Sequence, residues 1–306
     1  MKKLNLLSKV SVALIVASSL TACVDDGEDG VAGVAGAAGA AGAAGTDGTN
    51  GVSVYVSRDD VLKSNANIAY AAYSDSLFTA QELKSVLEEF VASPSEQTLA
   101  AAKDAWRAAR EPYGQTEVYR FRVGPIDALK EDGTIGAEGD GPEGLINAWP
   151  LGEAIIDYVA GQVDGDSGPE TPANAVTDNI ISNTTDFPTI DATTLSAAFE
   201  SGEDERNVTL GYHAVEFLLW GQDLNEDLSG VGTRDETGGQ RPYTDYVTTV
   251  GQCTSGPNAA TEEICTRRGQ YLLVAADLLI DELEAVAQAW EPATGVHYQA
   301  FVAGGD

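Results

Sequence analysis

Two side chains able to bind a metal ion lie three residues apart in an apolar stretch, residues 211–221. This stretch contains His213, one of only two histidines in the chain, and Glu216. Residues three apart on a helix occupy neighbouring positions of one face, so the imidazole and the carboxylate would lie side by side. Such a pair can bind a metal ion, or it can be a core histidine satisfied by a carboxylate. The spacing alone leaves both interpretations open.

Complete zinc-protease motifs are missing from the sequence. His-Glu-x-x-His is absent, and the inverted form His-x-x-Glu-His matches at His213 and Glu216 but has Phe217 in place of the second histidine. The other histidine, His297, lies near the chain end, where we expect a loop or a frayed terminus. The remaining ligands would therefore be carboxylates. An oxygen-rich site of this kind suits iron, manganese or calcium at least as well as zinc.

Other charged side chains in helical segments are candidates to complete or support this site. They are Arg110, Glu117, Arg120, Asp127, Glu153 and Asp157. Taken singly, such residues are more often solvated or paired, but Glu117 and Arg120 lie among aromatic residues. The sequence has no Gly-x-Ser-x-Gly elbow, P-loop or dinucleotide fingerprint, so it offers no candidate for nucleophilic catalysis.

The charge balance excludes one class of partner. The chain has 48 acidic and 17 basic residues, a formal net charge of -31 and a pI near 4.1. Phosphate backbones and anionic lipid surfaces would repel such a chain, so we expect no nucleic-acid partner. Most of the carboxylates are expected to keep the surface solvated, and only those that converge in a cleft would act on a ligand.

The first residues are typical of an exported lipoprotein. Three lysines precede an apolar run at residues 10–20, which is too short to span a bilayer and has the layout of a signal peptide, residues 1–22. The tetrapeptide ending at Cys23 resembles the bacterial lipobox, so we expect Cys23 to carry lipid and to anchor the protein to a membrane. Val24, rather than aspartate, follows it and favours the outer membrane of the cell envelope.

A glycine-rich segment separates this anchor from the folded part. Glycine occupies every third position over residues 27–51, which is the period of collagen, but the run contains no proline. We therefore interpret residues 23–58 as a flexible spacer.

Helical periodicity dominates residues 59–306, while strand patterning is almost absent, so the sequence predicts an all-α helical bundle. Thr79 with Glu82 forms one predicted helix start, and Ser93-Pro94-Ser95-Glu96 forms another with proline at the first helical position. A long apolar stripe is expected to extend to Phe121. Further helices are expected around residues 145–159, interrupted or started at Pro150, and at 195–199, 211–221 and 267–290.

Two cysteines remain once Cys23 is assigned to lipid. An exported protein occupies an oxidising compartment, where two remaining thiols usually pair. We therefore predict a disulfide between Cys253 and Cys265. Closing so short a loop would stabilise the fold by roughly 3 kcal/mol.

Several motifs taken together resemble one protein family. They are Gly211-Tyr-His213-Ala-Val-Glu216 with Trp220-Gly-Gln-Asp223, Trp106 with Arg110 and Tyr113, Glu117-Val-Tyr-Arg120, Gly124-Pro125-Ile-Asp127, Gly141-Pro142-Glu143, Trp149-Pro150-Leu-Gly-Glu153, Asp157, and Cys265 with Arg268 and Tyr271. Through these residues, which span about 66–290, the chain resembles the imelysin-like family and its branch of iron-regulated lipoproteins.

The resemblance implies a helical fold of two bundle-like halves with a metal site around the His-x-x-Glu pair at their interface. We expect His213 and Glu216 to bind the metal together with the carboxylates Glu117 and Asp127, with Arg110, Arg120, Glu153 and Asp157 in supporting positions. The family's links to iron uptake imply an iron-binding protein with an iron-uptake partner. Its older assignment implies a metallopeptidase, in which Glu216 or Glu117 would act as base, and a non-catalytic surface module is a third alternative. Because the chain stops at Asp306, we expect part of the second half to be missing.

Overall fold

The computed structural model describes residues 55–121, 123–149, 151–159, 179–223, 238–256 and 260–304. Over these residues the chain forms helices without a β-sheet, with one isolated bridge between Leu129 and Ile135. The all-α fold class is thereby confirmed. No helix in this part of the chain is both long and apolar enough to cross a membrane. The predicted signal peptide, Cys23 and nearly all of the spacer lie outside the described residues.

Nine α-helices are present in these ranges, and three of them are long. The helices are α1 Arg58–Ala92, α2 Glu96–Gln115, α3 Pro125–Ala128, α4 Glu143–Asn147, α5 Glu153–Ile156, α6 Ala192–Ala198, α7 Gly211–Trp220, α8 Glu262–Ala289 and α9 Val296–Val302. Short 3-10 turns lie at Thr116–Tyr119, Ser201–Glu203 and Tyr243–Tyr246.

Helix α1 forms the centre of the bundle because it packs against both α2 and α8. Its buried residues recur every three or four positions: Ala66, Ala69, Tyr73, Ser76, Ala80, Leu83, Leu87 and Phe90. Full burial of a leucine or phenylalanine side chain contributes about 1.5–3 kcal/mol. The predicted helix start at Thr79 is wrong. The hydroxyl of Thr79 donates to the carbonyl oxygen of Asp75 at 2.9 Å inside the helix, so the apolar face continues without a break.

A capping box begins α2 as predicted, but it lies two residues later than the predicted box from Ser93 to Glu96. Ser95 is the N-cap residue and forms a capping box with Thr98, so Pro94 precedes the helix instead of occupying its first position. The apolar stripe buries Leu99, Ala102, Ala109 and Tyr113 and ends there. Phe121 does not belong to the stripe: its side chain is 77% exposed and its φ is 60°, a left-handed conformation that helices do not contain.

The segment that follows contains short helices joined by irregular chain. The helix expected around residues 145–159 is interrupted near Pro150, as one form of the prediction had it, because α4 ends before that residue and α5 begins after it. Helix α6 is capped by Asp191, whose carboxylate accepts from the backbone N–H of Thr194 at 2.8 Å. Together these short elements position the start of α7, which packs against α8, α2 and α4.

Helix α8 is tied at its start by a disulfide. Thr261 caps the helix, and Cys265 in its first turn is bonded to Cys253, with the two Cα atoms 6.1 Å apart. The predicted Cys253–Cys265 pairing is therefore confirmed. The bond fixes the connection that leads from Tyr243–Tyr246 into α8.

The environment of His297 differs from the expected frayed terminus. The residue lies in α9 and is 4% exposed, and its ring centroid is 4.4 Å from that of Trp290. It also lies near Phe301, at 5.9 Å between ring centroids. Apolar packing of α9 against α1 and α8 is the reason, and it makes His297 a core histidine.

Candidate functional site

Helix α7 carries the predicted metal-binding pair, and two glycines define its ends. Gly211 has φ 79°, and a Cβ atom there would lie 2.5 Å from the carbonyl oxygen of Ile146 in α4. Only glycine fits this close approach with this backbone conformation. Gly221 ends the helix with φ 73° and donates its N–H to the carbonyl oxygen of Phe217 at 2.7 Å.

The two faces of α7 differ in burial. Tyr212, Ala214, Val215, Phe217, Leu218 and Leu219 are buried against the bundle. His213 and Glu216 lie on the other face, with side-chain exposures of 18% and 38%. Nδ1 of His213 is 2.8 Å from Oε2 of Glu216, as their spacing predicts. The pair is therefore formed by the helix itself and remains accessible to a ligand.

A cleft of about 370 Å³ opens beside this pair, and we call it the His213 cleft. It is lined by Trp149, Leu151, Glu153, His213, Glu216, Phe217, Trp220, Gly221, Asp223, Gly238 and Gly239. Three carboxylates and one imidazole thus border a single cavity. The ring of Trp149, which is 68% exposed, meets His213 edge-on at 4.9 Å between centroids.

Arg110 holds the elements around the cleft in place. Its guanidinium donates to Oδ1 of Asn147 at 2.7 Å and lies 5.0 Å from the ring of Tyr212, linking α2 to α4 and α7. In the same helix, the indole N–H of Trp106 donates to the backbone carbonyl of Tyr212 at 2.9 Å. The carbonyl that accepts this bond belongs to the residue before His213, so α2 positions the backbone from which the His213 side chain extends. Arg110 thus connects the helices beside the cleft without lining it.

Asp127, a predicted ligand, and Arg120, a predicted support, form a second group. Arg120 donates to Asp127 at 2.9 Å and to Glu143 at 2.5 Å. The second carboxylate oxygen of Asp127 accepts from the backbone N–H of Phe121 at 2.9 Å. Burial by itself would lower the pKa of the Arg120 guanidinium. The negative charges of Glu143 and Asp127 outweigh this effect, so the pKa is raised. The bond from Asp127 to the N–H of Phe121 stabilises the left-handed backbone at Phe121. Glu117 lies on the preceding 3-10 turn, and its side chain is exposed.

Asp157 belongs to a buried ion network. It is 0% exposed and accepts from Arg241 at 2.6 Å and from Arg268 at 2.6 and 3.1 Å. Asp245 joins the network by accepting from Arg241 at 3.1 Å and from the hydroxyl of Tyr158 at 2.6 Å. Burial by itself would raise the pKa of Asp157. The charges of Arg268 and Arg241 outweigh this effect, so the pKa of the carboxyl lies below its usual value. Asp157 therefore supports the fold around the cleft without lining it.

The structure brings His213 and Glu216 together and leaves the other two predicted ligands elsewhere. In the described ranges, no three His, Cys, Asp or Glu side chains are close enough to hold a metal ion jointly, so Glu117 and Asp127 do not join the pair. Glu153, predicted as a support, lines the cleft. The sequence reasoning did not select Asp223, Trp149 or Trp220, although all three belong to the motifs that carried the resemblance.

Comparison with known proteins places the chain in a family. The model of the imelysin family matches residues 69–303. The chain belongs to the imelysin family. The match begins inside α1 and extends through α9, so the residues of this imelysin's His213 cleft lie within the family region.

Individual relatives match over shorter lengths. The imelysin is 30% identical over 83 residues to iron-regulated protein A of Synechococcus elongatus, covering 27% of this chain and 20% of that protein. It is also similar, at 18% identity and a TM-score of 0.44, to a solved structure from Parabacteroides distasonis described as an iron-regulated protein A precursor. That similarity covers 82% of this chain and 52% of the solved chain. The imelysin thus spans about a fifth of the curated relative and about half of the solved one.

Proposed function

We propose that this imelysin binds a metal ion, iron in preference to zinc, in the His213 cleft and has an iron-related role in the cell envelope. The observation that carries the proposal is the accessible His213–Glu216 pair in a cavity that Glu153 and Asp223 also line. Family membership supports it, because a relative that matches part of this chain is named iron-regulated protein A.

The geometry of the pair suits two neighbouring ligands of one metal ion. Ligand atoms about 2.1 Å from a metal and at a right angle to each other are about 3 Å apart. Nδ1 of His213 and Oε2 of Glu216 are 2.8 Å apart, so a small outward rotation of Glu216 would suffice. A metal ion would replace the proton that the two atoms share. The described residues thus fit two ligand positions and leave the others to groups that can enter the cleft.

The charge around the pair favours a cation. Glu153, Glu216 and Asp223 surround a single imidazole, and the chain as a whole has a net charge of -31. Carboxylates that converge on a cavity raise the local concentration of cations. One nitrogen and one carboxylate are a donor pair that suits iron at least as well as zinc, because zinc sites more often gather several histidines or cysteines.

Lipid on Cys23 would hold this site at a membrane, with residues 23–58 as the spacer. In this proposal the protein keeps iron at the envelope, on the outer membrane, and passes it to an iron-uptake partner protein. The net charge of -31 supports a role in gathering cations there and disfavours contact with nucleic acid.

Calorimetric titration with ferrous, ferric and zinc ions tests the proposal. We expect one iron ion to bind per chain. His213→Ala or Glu216→Gln should weaken binding by about tenfold or more, because each variant removes one of the two protein ligands. Glu284→Gln is the matched control, since Glu284 is an exposed glutamate of α8 whose side chain accepts from Gln288 in the same helix. Equal affinities in wild type and His213→Ala would refute the metal site.

A further inference from the structure

A second cavity, of about 940 Å³, lies at the carboxyl end of α8 and is more than twice as large as the His213 cleft. We call it the α8 groove, and its lining residues fall within 129–133, 140–145 and 281–296. Its walls are therefore the loop after α3, the start of α4, the last turns of α8 and the start of α9. No residue lines both this groove and the His213 cleft.

The charge that lines the α8 groove is one-sided. Its lining includes one ammonium group, that of Lys130, and five carboxylates, those of Glu131, Asp140, Asp281, Glu282 and Glu291. Nζ of Lys130 is 3.7 Å from Oδ2 of Asp140, and nearly half of each side chain is exposed, so water screens that pair. Burial raises the pKa of Glu282, and the negative charges of Asp281 and Glu131 raise it further. The groove therefore attracts positive charge.

The end of α8 adds to this attraction independently of the carboxylates. An α-helix carries a partial negative charge at its carboxyl end, and a cationic side chain near that end stabilises it. The last turn of α8 contains no basic residue. The helix is 28 residues long and ends at Ala289, which lines the groove. A cationic group from another molecule could occupy the position that no basic residue of this turn fills.

The lining favours an extended ligand over a metal ion. Within the described ranges, no three His, Cys, Asp or Glu side chains are close enough to hold a metal ion jointly, so the carboxylates of the groove are spread out. Apolar side chains line it as well, among them Leu129, Leu145 and Val296, and Val296 is 45% exposed. Interfaces between proteins combine apolar and charged groups in this way. The groove thus fits a chain segment that has both basic and apolar side chains.

Helix α4 connects the groove to the His213 cleft. Leu145 of α4 lines the groove, and Trp149, two residues after the end of this helix, lines the cleft. The carbonyl oxygen of Ile146, also in α4, closely approaches Gly211 at the start of α7. A protein bound in the groove would therefore lie next to a wall of the cleft. This position favours a partner protein over a free polyamine as the occupant.

We propose that the α8 groove docks a basic segment of a partner protein, one in which lysine or arginine side chains alternate with apolar ones. The cations would pair with the carboxylates and with the end of α8, and the apolar side chains would pack on Leu129, Leu145 and Val296. The inference goes beyond the proposed metal binding and does not depend on it, because the two cavities share no lining residue.

Fluorescence anisotropy with the purified mature protein tests the inference. The probe is a labelled synthetic peptide of lysine-lysine-leucine repeats, and the competitors are the same peptide with serine in place of leucine, and spermine. A salt concentration of about 0.15 M screens exposed charges that are more than about 8 Å apart. We expect the leucine-containing peptide to bind wild type and to be displaced poorly by both competitors.

Two matched double variants locate the binding. Glu131→Gln/Glu282→Gln should weaken it by about fivefold to thirtyfold, because two charge contacts in the groove are lost. Glu82→Gln/Glu111→Gln is the control, since these exposed glutamates of α1 and α2 lie outside the groove and their removal changes the net charge equally. The control should stay within about twofold of wild type. Val296→Lys, which adds a cation to the groove and leaves every carboxylate in place, should weaken binding as well.

The outcomes separate docking in the groove from general attraction to an acidic protein. Equal weakening by the two double variants, or the absence of peptide binding to wild type, would show that the inference is wrong. If spermine or the serine peptide binds as tightly as the leucine-containing peptide, the groove is a site for small polycations, and the inference is also wrong. His213→Ala should bind the peptide like wild type, so a failure of the metal site leaves this result unchanged. Thermal melts identify any loss that arises from unfolding.

Discussion

Replacement of Asp157 by asparagine should destabilise the protein strongly without removing a metal ligand. The carboxylate is 0% exposed and accepts three hydrogen bonds from Arg241 and Arg268, whose side chains are 1% and 0% exposed. In the Asp157→Asn variant two buried guanidinium groups would retain only Asp245 as a charged partner. Breaking a buried ion pair from one side costs about 3–5 kcal/mol.

The predicted change in melting temperature follows from this free energy. For a domain of this size each kcal/mol lowers the melting temperature by about 2–4 °C, so the variant should melt about 6–20 °C below wild type. Differential scanning calorimetry at neutral pH measures it. Asp277→Asn is the control, because Asp277 pairs with Lys84 at the surface with 58% of its side chain exposed and should cost less than about 1 kcal/mol.

Acid should reduce the difference in melting temperature between wild type and Asp157→Asn. The pKa of Asp157 is lower in the folded protein than in the unfolded chain, because Arg268 and Arg241 outweigh the effect of burial. The carboxylate therefore stabilises the fold fully above the unfolded value of about 3.9, and this contribution is lost as the pH falls towards the folded value. Over that pH range wild type should lose the stabilisation that ionised Asp157 provides. Asp157→Asn has no such contribution to lose, so its melting temperature should fall less. A variant that melts like wild type at neutral pH would refute the reasoning.

Three further predictions concern the helix ends, the disulfide and the cleft. Gly211→Ala should lower the free energy of unfolding by more than about 1–2 kcal/mol in denaturant titrations, since the new Cβ would lie 2.5 Å from the carbonyl oxygen of Ile146; wild-type stability would contradict this. The Cys253→Ser/Cys265→Ser variant should lose about 3 kcal/mol in the same titrations and should show no further loss in reductant, unlike wild type. Trp149→Ala should keep the wild-type melting temperature within a few degrees, because its ring is 68% exposed, and should lose part of any fluorescence quenching that iron causes. Undiminished quenching in a Trp149→Ala/Trp220→Phe variant, which removes both tryptophans of the cleft, would mean that iron binds away from His213.

Local rules predicted much of the fold. The fold class, the disulfide and the end of α7 at Gly221 followed from apolar periodicity, the count of cysteines and the conformational freedom of glycine. The predicted break at Thr79 failed because a Thr-x-x-Glu pattern is compatible with a helix interior, where the hydroxyl bonds back to a carbonyl. Helix α1 continues through Thr79 because its apolar face is buried along the whole length against α2 and α8.

The candidate site was predictable only where one helix forms it. His213 and Glu216 meet because of their spacing in α7. Whether Asp127 reaches them depends on the path of the chain between α2 and α7, and Arg120 holds that carboxylate in another group. Asp157 illustrates the same limit: its type and position suggested a support for the site, but tertiary packing directs it to Arg241 and Arg268.

Burial of His297 shows how the same residue type can have a different role. Its position near the chain end suggested exposure, yet the aromatic side chains of Trp290 and Phe301 enclose it. Sequence proximity to the terminus carried no information about this packing, because α9 folds back onto α1 and α8. Of the two histidines in the chain, His213 is thus the one that lines a cleft.

Anomalous diffraction from crystals of the mature protein grown with iron tests the central claim most directly. Data collected on both sides of the iron absorption edge locate the metal without reference to any affinity. We predict one peak per chain within about 2.0–2.2 Å of a ring nitrogen of His213 and an oxygen of Glu216. A protein that binds iron stoichiometrically but shows its peak away from these two residues would contradict the account.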